Sequence, residues 1–272
     1  MQTSPNIFNQ PRAVQFSLLM KLFHSLFASF IFFTRLPFWR LHQPPKEAYA
    51  TVVEHWPLTG WLTGGIMAAT LFGASHILPF PIAVICAVIV RLFVTGALHE
   101  DGLADFFDGF GGGTDRQRIL TIMKDSHIGT YGVLALIFYF ALLCGILMSL
   151  PPMTAVFAIL SADPLAKMFS SQIVNFMPYA RREEEAKNKT IYRPISMGAT
   201  ISLALQGLLP SLPLILLTDT IWWLAVLAPI LTVTLLFLLI WRKLQGYTGD
   251  CCGAVCLLAE LSFCLAVLMF VP

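Results

Sequence analysis

Apolar runs of about 20 residues, the length that crosses a bilayer core as a helix, recur along most of this chain. The stretches 56–78, 82–98, 129–150, 153–178, 195–217, 220–240 and 250–271 each qualify. An eighth, 13–38, is apolar but carries Lys21 and His24, so crossing the membrane and lying along its surface both stay open. Composition agrees, with 57% of the 272 residues hydrophobic and 12% charged. An ordinary soluble domain has roughly 25% charged residues, and so few could not cover a soluble globule. The expected fold is an all-α polytopic integral membrane protein with 7–8 transmembrane helices, forming a single membrane-embedded domain over 1–272. A net charge of +2 gives no reason to expect a nucleic-acid partner; the expected surroundings are membrane lipid.

Basic residues decide orientation in such a chain. The connections 79–81, 151–152 and 218–220 hold no Lys or Arg, whereas their alternates hold Arg40 and Lys46, then Arg116, Arg118 and Lys124, then Arg181 to Arg193, then Arg242 and Lys243. The expected location is the cell inner membrane, with the long loops in the cytoplasm and the C-terminus on the opposite side. The N-terminus has no short apolar core followed by a small-residue cleavage site, so it is read as retained. The mixed-sign stretch 181–194 reads most simply as a solvated hairpin. Cys251, Cys252 and Cys256 have no nearby histidine and no C-x-x-C pairing, which favours buried small hydrophobes over zinc.

Charge is also distributed unevenly along the chain. Glu100, Asp101, Asp105, Asp108, Asp115 and Asp125 are six of the fifteen acidic residues, and no basic residue interrupts the run from Glu100 to Asp115. At helical spacing Asp101, Asp105 and Asp108 lie within about 60° of one face. Carboxylates so close raise one another's pKa. A divalent cation removes that penalty, and Mg²⁺ prefers oxygen ligands and shares them with phosphate groups. The ladder follows directly from an apolar segment, which places it at a membrane mouth, in a cytoplasmic active-site loop of about 99–128. Asp125 and Asp250 are further candidate ligands, although Asp250 serves equally as a helix N-cap. Arg116, Arg118 and Lys124 return positive charge suited to substrate phosphates. Gly111 to Gly113 should break the helix. His99 and His127 flank the string as candidate general bases. Asp163 and Lys167, four apart in an apolar segment, read first as an ion pair.

At these residues the chain resembles the cobalamin synthase family, the adenosylcobinamide-GDP ribazoletransferases. The resemblance runs through FFTRLPF at 32–38, PLTGWLTGG at 57–65, the acidic string at 95–136, MPYARREE at 177–184 and YTGDCCGA at 247–254. The chain departs from the family pattern at Glu100, where a hydrophobic residue is common, at Lys167, where arginine is usual, at Cys251–Cys252, and after residue 184.

The resemblance implies the last assembly step of the cobalamin nucleotide loop. Adenosylcobinamide-GDP and α-ribazole, or its 5′-phosphate, give adenosylcobalamin, or its 5′-phosphate, and GMP, with Mg²⁺ as cofactor. It suggests that Asp101, Asp105 and Asp108 hold the metal, that Arg116, Arg118 and Lys124 meet phosphate, and that Asp101, Asp105 or His99 takes the hydroxyl proton. Two rivals fit less well. Membrane CDP-alcohol phosphotransferases and prenyltransferases expect a second acidic motif, which is missing. A carboxylate-relay transporter expects mid-membrane acids on several helices, and only Asp163 and Glu260 offer themselves.

Overall fold

In a computed structural model, the described residues are 10–181, 192–219 and 221–270. They form twelve α-helices: α1 (Gln10–Phe33), α2 (Trp56–Ala74), α3 (Phe80–Thr95), α4 (Leu98–Gly112), α5 (Arg116–Ile122), α6 (Thr130–Ser149), α7 (Pro152–Ser171), α8 (Ile173–Phe176), α9 (Met197–Leu208), α10 (Leu212–Leu217), α11 (Trp222–Leu244) and α12 (Gly249–Phe270). Short 3-10 turns connect some of them, the longest at Lys46–His55. The only β-type pairing among the described residues is an isolated bridge between Tyr179 and Tyr247.

Among the described residues, five helical stretches are long and apolar enough to cross a membrane, or six if the bent pair α3–α4 counts as one. That is fewer than the 7–8 expected. α2 is long enough, but its Thr, Gly and Trp content dilutes its hydropathy. α1 offers only a short apolar stretch, Leu19–Phe33. The acidic segment also differs from expectation. Most of 99–128 is helix, not loop, and α4 meets α3 at 90° instead of continuing it.

The bend has a local cause. Gly96 and Ala97 both adopt left-handed conformations, with φ of 64° and 54°, which ends α3 and starts α4 in a new direction. Glycine is required at 96 twice over, because the Arg35 side chain lies where a Cβ would project. Ala97 has no such freedom, and its left-handed backbone costs about 1–2 kcal/mol.

α7 and α12 sit at the centre, each with 72% of its apolar window buried, whereas α6 and α11 have 28% and 22% buried and present apolar side chains outward. The buried core carries charge. Arg91 on α3 pairs with Glu260 on α12, donates to the Tyr139 hydroxyl at 2.7 Å and lies 3.8 Å from Glu100 on α4. Lys167 pairs with Asp163 as expected, and Thr63 donates to Asp163 at 2.5 Å. Asp163 and Glu260, the two acids a transporter would need, are thus each committed to a cation. Cys251, Cys252 and Cys256 are buried and free.

Candidate active site

α4 and α12 cross where neither has a side chain. A Cβ on Gly102 would lie 3.1 Å from the Asp250 carbonyl oxygen, and one on Gly253 would lie 3.1 Å from that of His99. This close approach brings the first turn of α4 against the first turn of α12. Both turns open onto a cavity of about 200 Å³ lined by Asp101, His99, Thr248, Asp250, Tyr179, Tyr192 and Arg181, with Phe33 and Trp56 on its apolar wall. Thr248 caps α12, accepting from the Cys251 N–H at 3.3 Å, so Asp250 is released from the N-cap role open to it in the sequence. The Thr248 hydroxyl also donates to Asp250 at 3.4 Å. His99 is buried and packs against the Phe33–Trp56 stack, its ring centroid 6.2 and 5.7 Å from theirs, and its Nε2 has no hydrogen-bond partner among the described residues.

The other wall is built by chain segments far apart in sequence. The Tyr247 N–H donates to the Pro178 carbonyl at 2.9 Å and the Ala180 N–H to the Tyr247 carbonyl at 2.8 Å, fixing Tyr179 and Arg181 beside α12. α5 closes on this wall through two reciprocal arginine contacts. Arg116 donates through Nε to Leu244 and through Nη2 to Ala180, at 2.8 and 2.6 Å. Arg181 donates through Nη2 to Leu120 at 3.0 Å. Burial pushes the Tyr179 phenol up to about 12, with Arg181 opposing, so it remains an O–H donor at neutral pH.

Beside the cavity lies an open cleft of about 1120 Å³, lined by Arg116, Lys124, Asp125 and Arg181 among others. Arg181 therefore borders both spaces, and its buried Nε has no partner among the described residues.

The residues expected to act together are divided by this geometry. Asp101 and Asp250 face the cavity. Asp105, one turn along α4, is half-buried and outside the cavity lining. Asp108 is buried and accepts from the N–H groups of Gly129 and Gly132 at 2.7 and 2.9 Å, capping α6 from α4. Helical phase put it on the face of Asp101, but seven residues advance the chain about 10 Å along the axis, into another environment. Asp115 caps α5 by accepting from the Arg118 N–H at 3.0 Å, which lowers its pKa. Asp125 accepts from the backbone N–H and ring of His127 at 3.0 and 2.8 Å, which holds its carboxyl low and occupies His127 outside the cavity. Arg118 is exposed and lines neither space. No three His, Cys, Asp or Glu side chains among the described residues converge to hold a metal ion, so the five expected ligands do not form one cage. The expected hairpin of 181–194 lies largely outside the described residues.

Three participants were not singled out by their sequence. Arg91 is one basic residue in an apolar run, and its position was the available signal. Arg181 stood in a run of mixed charge that looked solvated. Tyr179 and Arg181 both lie in MPYARREE, one of the stretches that carry the family resemblance, and that was their available signal.

Comparison with known proteins gives these positions a context. A family model described as Cobalamin-5-phosphate synthase matches residues 25–268. A protein of Shewanella baltica named adenosylcobinamide-GDP ribazoletransferase is 32% identical over 88% of this chain and 91% of its own. Similar proteins of that name are found in Azorhizobium caulinodans, 38% identical over 79% and 82% of the two chains, and in Shewanella frigidimarina, 34% identical over 89% and 93%. No solved structure matches. The cavity-lining residues from His99 to Asp250 all fall inside the matched region, and the chain belongs to the cobalamin-5-phosphate synthase family.

Proposed function

We propose that the chain is an integral membrane transferase that joins adenosylcobinamide-GDP to α-ribazole, or to its 5′-phosphate, with release of GMP. Membership of the family carries the reaction, and the meeting of Asp101 and Asp250 in one cavity carries the site.

In this reaction a ribose hydroxyl oxygen of ribazole forms a bond to the phosphorus attached to cobinamide. The bond from that phosphorus to the oxygen bridging it to GMP breaks, and GMP leaves with the electron pair. The hydroxyl proton goes to an acceptor in the cavity. His99, with its unpartnered Nε2, and Asp101 are the acceptors placed for it. The protein's task is chiefly positioning and charge stabilisation. Tyr179 offers an O–H donor, and Phe33 and Trp56 keep water from one side of the cavity.

The donor set fits Mg²⁺, which commonly takes one or two carboxylates together with substrate phosphates and water. Asp101 and Asp250 would hold it, with Asp105 next along α4. Bound there, Mg²⁺ would neutralise pyrophosphate charge. Asp108 and Asp125 are otherwise engaged and are left out of the ligand set. The sequence pattern of basic connections favours the inner membrane with this site on the cytoplasmic side.

The test is incubation of membranes containing the chain with both substrates and Mg²⁺, followed by mass detection of the complete corrinoid. Product should form only with both substrates present. Its absence, with the chain present and folded, would refute the proposal.

A further inference from the structure

Acidic and basic groups are segregated across one arginine. The cavity side holds Asp101 and Asp250. Among the described residues the cleft side holds Arg116 and Lys124, and the acid it includes, Asp125, is engaged with His127. Arg181 lines both. One end of its guanidinium is tethered to the Leu120 carbonyl, while Nε is buried without a partner among the described residues. A buried guanidinium N–H left unpaired is costly, and the arginine fork fits phosphate oxygens better than any other side chain. The sizes differ as well. About 200 Å³ is below the roughly 300–1,000 Å³ of ordinary small-molecule sites and suits a phosphoryl group with part of a sugar. The cleft, at about 1120 Å³, can take a whole nucleotide.

We propose that Arg181 is a phosphate-binding residue joining the two spaces, and that a nucleoside diphosphate group lies across it. The reacting phosphoryl group occupies the acidic cavity and the nucleoside monophosphate occupies the basic cleft. This rests on the transferase reading above and gives it a direction: the leaving nucleotide departs through the cleft, away from Asp101 and Asp250. Arg116 is largely spent on two carbonyls, so Arg181 and Lys124 supply the positive charge the nucleotide meets.

The probe is GMP itself. Its affinity, and that of α-ribazole, are measured on the purified full chain in lipid nanodiscs with Mg²⁺, for the wild type, Arg181→Gln and Arg181→Lys. Arg181→Gln should weaken GMP by about 10- to 100-fold, the scale of a charge-assisted hydrogen bond, with α-ribazole affinity within about twofold. Arg181→Lys should lose less, because it keeps the charge without the fork. Selective loss of GMP binding in either variant supports the proposal. No GMP binding by the wild type, unchanged GMP affinity in both variants, or parallel loss of both ligands overturns it. Wild-type turnover separates the two readings. A wild type that makes no corrinoid product refutes the transferase reading, whereas normal wild-type turnover with full GMP affinity in the variants refutes only the role of Arg181.

Discussion

Replacing Arg91 with methionine should unfold or loosen the chain far more than losing a surface arginine would. Arg91, Glu260 and Glu100 are only 3%, 3% and 4% exposed. Arg91 ties together α3, α6, α4 and α12 through Glu260, Tyr139 and Glu100. Its separation of 3.8 Å from Glu100 corresponds to about 4 kcal/mol of attraction at an effective dielectric constant of about 20. The closer pair with Glu260 adds more, and desolvation of three charges offsets much of the sum. What the variant exposes is the remainder: two buried carboxylates that have lost their arginine, with Lys167, already paired with Asp163, as the one cation left among the described residues of the cluster. Breaking a buried pair on one side costs about 3–5 kcal/mol. Thermal unfolding of detergent-solubilised protein should therefore shift downward by roughly 6–20 °C. Adding Glu260→Gln to Arg91→Met removes one uncompensated charge, so the double variant should be more stable than Arg91→Met alone, with a coupling of about 2–3 kcal/mol. Equal melting of wild type and Arg91→Met, or a double variant destabilised by the sum of the single changes, would refute the reasoning.

Three further outcomes follow from other contacts. Asp108→Asn keeps one acceptor oxygen for the two N–H groups of Gly129 and Gly132, so it should cost about 1–2 kcal/mol of stability without changing the Mg²⁺ concentration that half-saturates turnover; a large change there would make Asp108 a ligand. Glu100→Leu removes a buried carboxylate with one unpartnered oxygen among the described residues but leaves Arg91 paired with Glu260, so turnover should stay within about twofold and stability should fall less than in Arg91→Met; a tenfold loss of rate would show that the acid takes part. Burial raises the Tyr179 pKa from 10.0 to about 12, so its contribution to stability is complete below pH 10.0 and lost as pH rises through about 12. Tyr179→Phe should flatten part of that alkaline loss, and an unchanged alkaline unfolding curve would contradict the burial argument.

Much of this architecture was written in hydropathy. The stretches near 129–150, 153–178, 220–240 and 250–271 correspond to α6, α7–α8, α11 and α12, and the helical spacing of the aspartates became α4. Periodicity, however, reports angle around an axis and not distance along it, so it grouped Asp108 with Asp101 although they serve different neighbours. It also gave no hint that two left-handed residues at Gly96 and Ala97 would turn α4 by 90°. The tethering of Arg116 and Arg181 depends on carbonyl groups that the sequence does not distinguish from any others. Asp250 was legible as a candidate because it opens α12, while its place opposite Asp101 came from Gly102 and Gly253, whose missing side chains let the helices touch.

The central claim is that Asp101 and Asp250, and not the whole aspartate ladder, support the transfer. It is tested by GMP release from adenosylcobinamide-GDP in the presence of α-ribazole, measured against Mg²⁺ concentration for Asp101→Asn, Asp250→Asn and Asp108→Asn in membranes. Asp101→Asn and Asp250→Asn should lose turnover or need far more Mg²⁺, while Asp108→Asn should keep the wild-type Mg²⁺ dependence. Wild-type rates in Asp101→Asn and Asp250→Asn, at wild-type levels of folded protein, would contradict the claim.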